Sequence, residues 1–136
     1  MIRISKIVFV LLFVCLLFSS CNKNVIYTEY RKFDNNEWYA RNKAVFEVDI
    51  TDNNSLNNVS LMIRHADAYP YSNIFLFLET TYPDGKTATD TLEVIMANNK
   101  GEWVGSGAGD IFDLKVPIKR NVRFPLTGKY KFSFQQ

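Results

Sequence analysis

Short runs in which apolar and polar residues alternate, each closed by a turn signal, fill the chain from Ala44 to Phe134. No stretch there carries the 3.6-residue period of an amphipathic helix, so the pattern restricts this region to strands. Ala44–Ile50 puts Phe46, Val48 and Ile50 on one face and Glu47 and Asp49 on the other, and Asp52-Asn53-Asn54 ends it as a turn. Asn58–Arg64 repeats the alternation, with Val59, Leu61 and Ile63 inward and Ser60, Met62 and Arg64 outward. A proline-containing corner, Ala68-Tyr69-Pro70-Tyr71-Ser72-Asn73, follows.

Ile74–Tyr82 opens with five consecutive apolar residues, which predicts a strand near the centre of a sheet and buried on both faces. In Pro83-Asp84-Gly85-Lys86 the proline presets φ, the aspartate bonds its own backbone and the glycine accepts a positive φ. This turn joins Ile74–Tyr82 to Thr87–Met96 as a hairpin, in whose second arm Leu92, Val94 and Met96 alternate with Thr91, Glu93 and Ile95. Asn98–Gly101 is another turn, and Trp103-Val104 leads into Gly105-Ser106-Gly107-Ala108-Gly109-Asp110. Further strands are expected at Ile111–Val116, Asn121–Phe124 and Lys129–Phe134. Seven or eight short strands at this spacing predict an all-β fold, an antiparallel β-sandwich of immunoglobulin-like or jelly-roll-like order, with a barrel as the alternative.

The N-terminus carries a different signal. Arg3 and Lys6 precede an apolar run, Ile7–Phe18, which Ser19-Ser20-Cys21 closes. A basic start, an apolar core and small residues before the cut are the parts of an export signal. The run is well short of the roughly 20 residues that cross a bilayer as a helix. The ending resembles a bacterial lipobox, so residues 1–20 are expected to be a signal peptide and Cys21 the lipidated first residue of the mature chain. Residues 21–24 would form a tether and 25–136 a single domain. Cys15 would leave with the leader, so no disulfide could form within the mature chain. Asn22 stands where an inner-membrane retention signal would place aspartate, and no acidic cluster follows the cysteine. The expected location is therefore the periplasmic face of the outer membrane.

Charge argues against nucleic acid as a partner. Without Arg3 and Lys6, the 16 Lys and Arg residues fall to 14, matching the 14 Asp and Glu residues. Convergent chemistry is also thin. The single histidine, His65, ends an alternating strand and reads as a surface or edge residue. Gly105-Ser106-Gly107 lacks the order of a nucleophile elbow. Gly105, Gly107 and Gly109 lack the spacing of a dinucleotide loop and the lysine of a P-loop. They read instead as glycines on one strand face, where another backbone or a large ring such as Trp103 packs closely. Asp90 and Glu93 fall on opposite faces of a strand, and Asp110 and Asp113 are too few for calcium. The expectation is a protein that is not an enzyme and uses neither cofactor nor metal.

Several segments in order carry a family resemblance: Tyr27-Thr28-Glu29-Tyr30 behind the lipobox, Tyr69–Leu76, Pro83-Asp84-Gly85, Asp90-Thr91-Leu92-Glu93, Met96-Ala97, Gly101–Ile111 and Phe124–Tyr130. Together they resemble the GldH family of gliding-motility lipoproteins, over nearly the whole mature chain. The resemblance implies a component of the gliding apparatus, which is linked to type IX protein secretion, with no enzymatic activity. Its partners would be the membrane, through the lipid, and other envelope or gliding-machinery proteins. Candidate contact residues are Tyr69, Tyr71, Trp103, Gly105, Gly107 and Gly109, which read first as core and turn residues of the sandwich and second as partner contacts. The alternative from another class is a glycan-binding sandwich, which requires Tyr69, Tyr71 and Trp103 to form one exposed platform. A small hydrolase would instead require two carboxylates converging in a cleft.

Overall fold

The computed structural model describes residues 25–136; the expected signal peptide 1–20, the expected tether 21–24 and Cys21 lie outside the described residues. The chain divides into two units between Tyr30 and Arg31. In the described part of the first, Val25–Tyr30 forms neither helix nor strand, and the Tyr27 hydroxyl donates to the Glu29 carboxylate. In the second, a 3-10 turn at Asp34–Asn36 precedes seven strands: β1 Ala44–Ile50, β2 Asn57–Ala66, β3 Asn73–Thr81, β4 Thr87–Ile95, β5 Ser106–Ala108, β6 Ile111–Val122 and β7 Gly128–Gln135.

The strands form two antiparallel sheets, ordered β1-β7-β3-β4 and β2-β6-β5, so the expected all-β sandwich is the architecture observed. Only β3–β4 and β5–β6 are hairpins within a sheet. Every other connection between successive strands crosses from one sheet to the other. The β3–β4 turn closes as expected: Gly85 has φ +83°, its N–H donates to the Tyr82 carbonyl, and the Lys86 N–H donates to Asp84 Oδ1 at 3.1 Å.

The inner faces supply the core. Leu76 of β3, Val94 of β4 and Met96 are almost fully buried. Leu61 and Ile63 of β2, Leu114 and Val116 of β6, and Trp38 from the segment before β1 pack against them. The period-2 alternation of β2 accounts for this, since residues 59, 61 and 63 must share a face. Toward the other end, Val48, Ile50, Leu78, Tyr130, Phe132 and Phe134 are buried. Tyr130 also pins the β6–β7 crossing, because its hydroxyl donates to the Leu126 carbonyl at 2.9 Å and accepts the Leu126 N–H at 3.1 Å. A buried phenol with both functions satisfied avoids the cost of a stranded polar group.

Two expectations are corrected. β3 does lie inside its sheet, between β7 and β4, but only one of its faces is buried. Leu76 and Leu78 are fully covered, whereas Phe75 is 51% and Phe77 48% exposed. A two-layer sandwich covers each sheet once, so a continuous apolar run cannot be buried on both sides here. Second, Ile111–Val116 and Asn121–Phe124 are not separate strands. β6 runs through Pro117, which pairs with Ser60 next to a register shift, and Phe124 lies buried in the following loop. A bulge lets a proline sit in a strand without a missing N–H in the regular ladder.

The difference between the faces of β3 has a measurable outcome. Leu76→Ala should lower unfolding free energy by about 2–5 kcal/mol through a cavity, while Phe75→Ala should cost about 1 kcal/mol or less. Urea denaturation of both variants checks this, and equal losses would contradict a one-sided β3.

Candidate functional site

The corner between β2 and β3 and the segment between β4 and β5 meet at one end of the sandwich. Backbone bonds tie them together: the Met96 and Ala97 N–H groups both donate to the Ser72 carbonyl at 2.7 and 3.0 Å, and Val104 N–H donates to the Met96 carbonyl at 2.9 Å. Ala97 and Trp103 form an isolated bridge. The Asp67 N–H donates to the Asp110 carbonyl at 2.7 Å, which joins the corner to the β5–β6 turn.

On this frame sits a cluster of rings. Tyr69 lies 5.8 Å from Tyr71 and 6.5 Å from Trp103, centroid to centroid. Thus the structure brings together the three aromatic residues singled out by sequence. It adds two more. His65 approaches Trp103 edge-on at 4.5 Å and lies 5.6 Å from Phe112, its register partner on β6. His65 is therefore no plain surface residue: its strand is a sheet edge, but its odd-numbered position turns the ring inward. The alternation that placed Val59, Leu61 and Ile63 inward extends to residue 65 and was the signal for this. Phe112 carried no local signal, because only pairing with β2 sets it beside His65.

Polar groups in the cluster serve the corner. Trp103 Nε1 donates to Asp67 Oδ1 at 2.6 Å, the Tyr69 hydroxyl donates to the Asn73 carbonyl at 3.1 Å, and His65 Nδ1 faces the Ala66 carbonyl at 3.0 Å. Burial, and after it the neighbouring Tyr71, push the Tyr69 phenol above its ordinary pKa. Tyr69 and Trp103 are half-buried against the core, and Tyr71 is exposed. The ring planes of Tyr69 and Tyr71 lie at 72°, and those of Tyr69 and Trp103 at 49°. The three therefore do not make the flat exposed platform on which a sugar face would stack.

The glycines do different work from one another. A Cβ on Gly105 would lie 2.6 Å from the Asp113 carbonyl oxygen, and one on Gly107 would lie 2.5 Å from the Phe112 ring and 2.6 Å from the Ile111 carbonyl oxygen. Close packing was expected, but the ring is Phe112 rather than Trp103. Gly105 lies just before β5 and so is not on the strand face, and neither is Gly109. Gly109 sits at φ +67° in the two-residue β5–β6 connection, a conformation that favours glycine.

The carboxylates are dispersed. Asp90 meets Lys119 of the other sheet at 3.3 Å, while Glu93 points outward and accepts from Asn73 Nδ2 at 2.8 Å. On the outer face of β2 and β6, Arg64 grips Asp113 with two bonds of 2.7 Å. The Arg64 guanidinium holds the Asp113 carboxyl below its ordinary pKa. This pair borders an open concavity of about 340 Å³ that Ser106, Gly107, Ala108 and Ile111 also line. Among the described residues no cluster of His, Cys, Asp and Glu has the arrangement of a metal centre. No helix among them is long and apolar enough to cross a membrane.

The described residues thus form an all-β sandwich with an aromatic corner at one end and dispersed carboxylates. The model of the GldH lipoprotein family matches residues 25–136, and the chain belongs to that family. It is 42% identical over 129 residues to the gliding motility lipoprotein GldH homolog of Christiangramia forsetii, covering 95% of this chain and 78% of that relative. It is 33% identical over 127 residues to the gliding motility lipoprotein GldH of Flavobacterium johnsoniae, covering 93% of this chain and 78% of that relative. No solved structure matches.

Two outcomes test the local geometry. Gly107→Ala should destabilise the fold by about 1–3 kcal/mol, because the β6 backbone and the Phe112 ring occupy the space for a Cβ. Thermal and urea unfolding measure it, and a stability equal to that of wild type would contradict the close packing. Asp113, whose pKa is depressed in the folded state, stabilises above its unfolded value of roughly 3.9. The stability difference between wild type and Asp113→Asn should therefore be present near pH 6 and vanish as pH falls through the folded pKa. A difference that is constant with pH would contradict the ion pair.

Proposed function

We propose that this chain is a noncatalytic, lipid-anchored component of the gliding apparatus, tethered through Cys21 and acting by contact with other envelope proteins. The observation that carries the reading is the family match across residues 25–136, supported by two relatives named as gliding motility lipoproteins. A thioether-linked diacylglycerol on Cys21 gives the several acyl chains that stable attachment requires. The aromatic corner agrees with contact rather than chemistry. Its Trp103 Nε1, Tyr69 hydroxyl and His65 Nδ1 face groups of the corner itself, while His65 Nε2 is buried without a hydrogen-bond partner. On this reading the domain lies at the periplasmic face of the outer membrane, where it supports a machine coupled to type IX secretion. Tyr71 is the exposed member of the corner and the first candidate there for partner contact.

In the native host, Cys21→Ser should lose incorporation of labelled palmitate and move from the membrane to the soluble envelope fraction. Deleting the gene should abolish colony spreading on soft agar, with wild type but not Cys21→Ser restoring it. Unaltered membrane fractionation of Cys21→Ser would overturn the anchor, and unaltered spreading of the deletion strain would overturn the role in gliding.

A further inference from the structure

The outer face of the β3–β4 hairpin carries apolar side chains that the fold does not use. Phe75, Phe77 and Ile95 are 51%, 48% and 53% exposed, and all three point away from the core. Register sets Ile95, opposite Asn73, diagonally across from Phe75, while Phe75 stands opposite Glu93 and Phe77, next along the same face, opposite Thr91. Scattered exposed apolar residues are ordinary, but two phenylalanines and an isoleucine on adjacent strands make a contiguous patch of the kind that marks an interaction site.

The charge around the patch selects its occupant. Glu93 stands within it, held in place by Asn73 Nδ2, and Glu79 follows Phe77 on the same face of β3. On the neighbouring strand β7, Gln135 stands opposite Phe77 and Ser133 opposite Glu79, and the nearest cation of that strand, Lys131, lies further along, opposite Thr81. An anionic lipid surface would meet carboxylates of its own sign at this patch. A second copy packed face to face about a two-fold axis would set the same acidic rim against itself.

We infer that this face docks a protein partner that presents an apolar stripe edged by Lys or Arg. This rests on the contact role proposed above and adds to it the site and the chemistry of the partner. β4 is the edge strand of its sheet, so the partner can approach the patch from the side as well as from above. Phe75 and Phe77 provide the apolar anchors, and Glu79 and Glu93 provide orientation and rate of encounter.

The test uses the full-length protein in neutral detergent and two blocked synthetic peptides, one alternating Val and Lys, the other alternating Val and Glu. The Lys peptide should bind and the Glu peptide should not. The double variant Phe75→Ser/Phe77→Ser should weaken binding by about tenfold or more with its melting midpoint held near that of wild type. Glu93→Gln should weaken binding and reduce its salt dependence. Met62→Ser, on the outer face of the other sheet, should leave the affinity unchanged. Equal binding of both peptides, or affinity unchanged in the double variant, overturns the proposal. So does a Phe77-dependent dimer in sedimentation. Quenching of the Phe75→Trp variant by brominated lipid in vesicles containing phosphatidylglycerol, beyond that of its parent, would assign the patch to the membrane and overturn it as well. None of these readouts depends on Cys21 or on colony spreading, so the patch and the anchored gliding role can fail separately.

Discussion

The apolar layer between the two sheets is the interaction on which everything else in this molecule rests. The described residues contain no cysteine, so no covalent cross-link assists it. Leu76, Leu78, Val94, Met96 and Tyr130 lie in its least accessible part. Four of the six connections between strands cross from sheet to sheet, and each holds only because the inner faces at both of its ends are buried together. The β6–β7 crossing shows the coupling most directly. Tyr130 is wholly buried in the core, and its hydroxyl makes two hydrogen bonds to Leu126 in the loop. Hydrophobic burial and loop position are thereby joined in one side chain.

The aromatic corner is an extension of that layer. Tyr69 and Trp103 pack on Leu76, Val94 and Met96, while His65 and Phe112 join them from the second sheet. The rings of this corner are held by packing and by hydrogen bonds to Asp67 and Asn73. The corner positions the start of β3, and with it the outward-facing Phe75 and Phe77. The same strand thus gives Leu76 and Leu78 to the core and presents a phenylalanine pair on its opposite face.

Strand content was legible because alternation is a local property. β1, β2 and β4 follow the expected faces residue by residue, and Pro83-Asp84-Gly85-Lys86 specified its hairpin through backbone chemistry alone. The errors fell where the answer depends on a neighbour. Ile74–Leu78 looks the same whether one or both faces are covered, and a second layer on only one side exposes Phe75 and Phe77. Pro117 suggests a break, yet the register shift against β2 absorbs it. Gly105, Gly107 and Gly109 form a regular series in the chain but meet a carbonyl, a ring and open space respectively.

Local sequence was sufficient for the class of fold, the β3–β4 turn and the expectation of a lipid anchor at Cys21, since each depends on residues within a few positions of one another. Strand order, the partnership of His65 with Phe112 and the exposure of one face of β3 arise from contacts between residues tens of positions apart. Those contacts form only when crossing connections set β3 and β4 against β2 and β6. Side-chain alternation states which residues share a face; only the packing of one sheet on the other states which face is hidden from water.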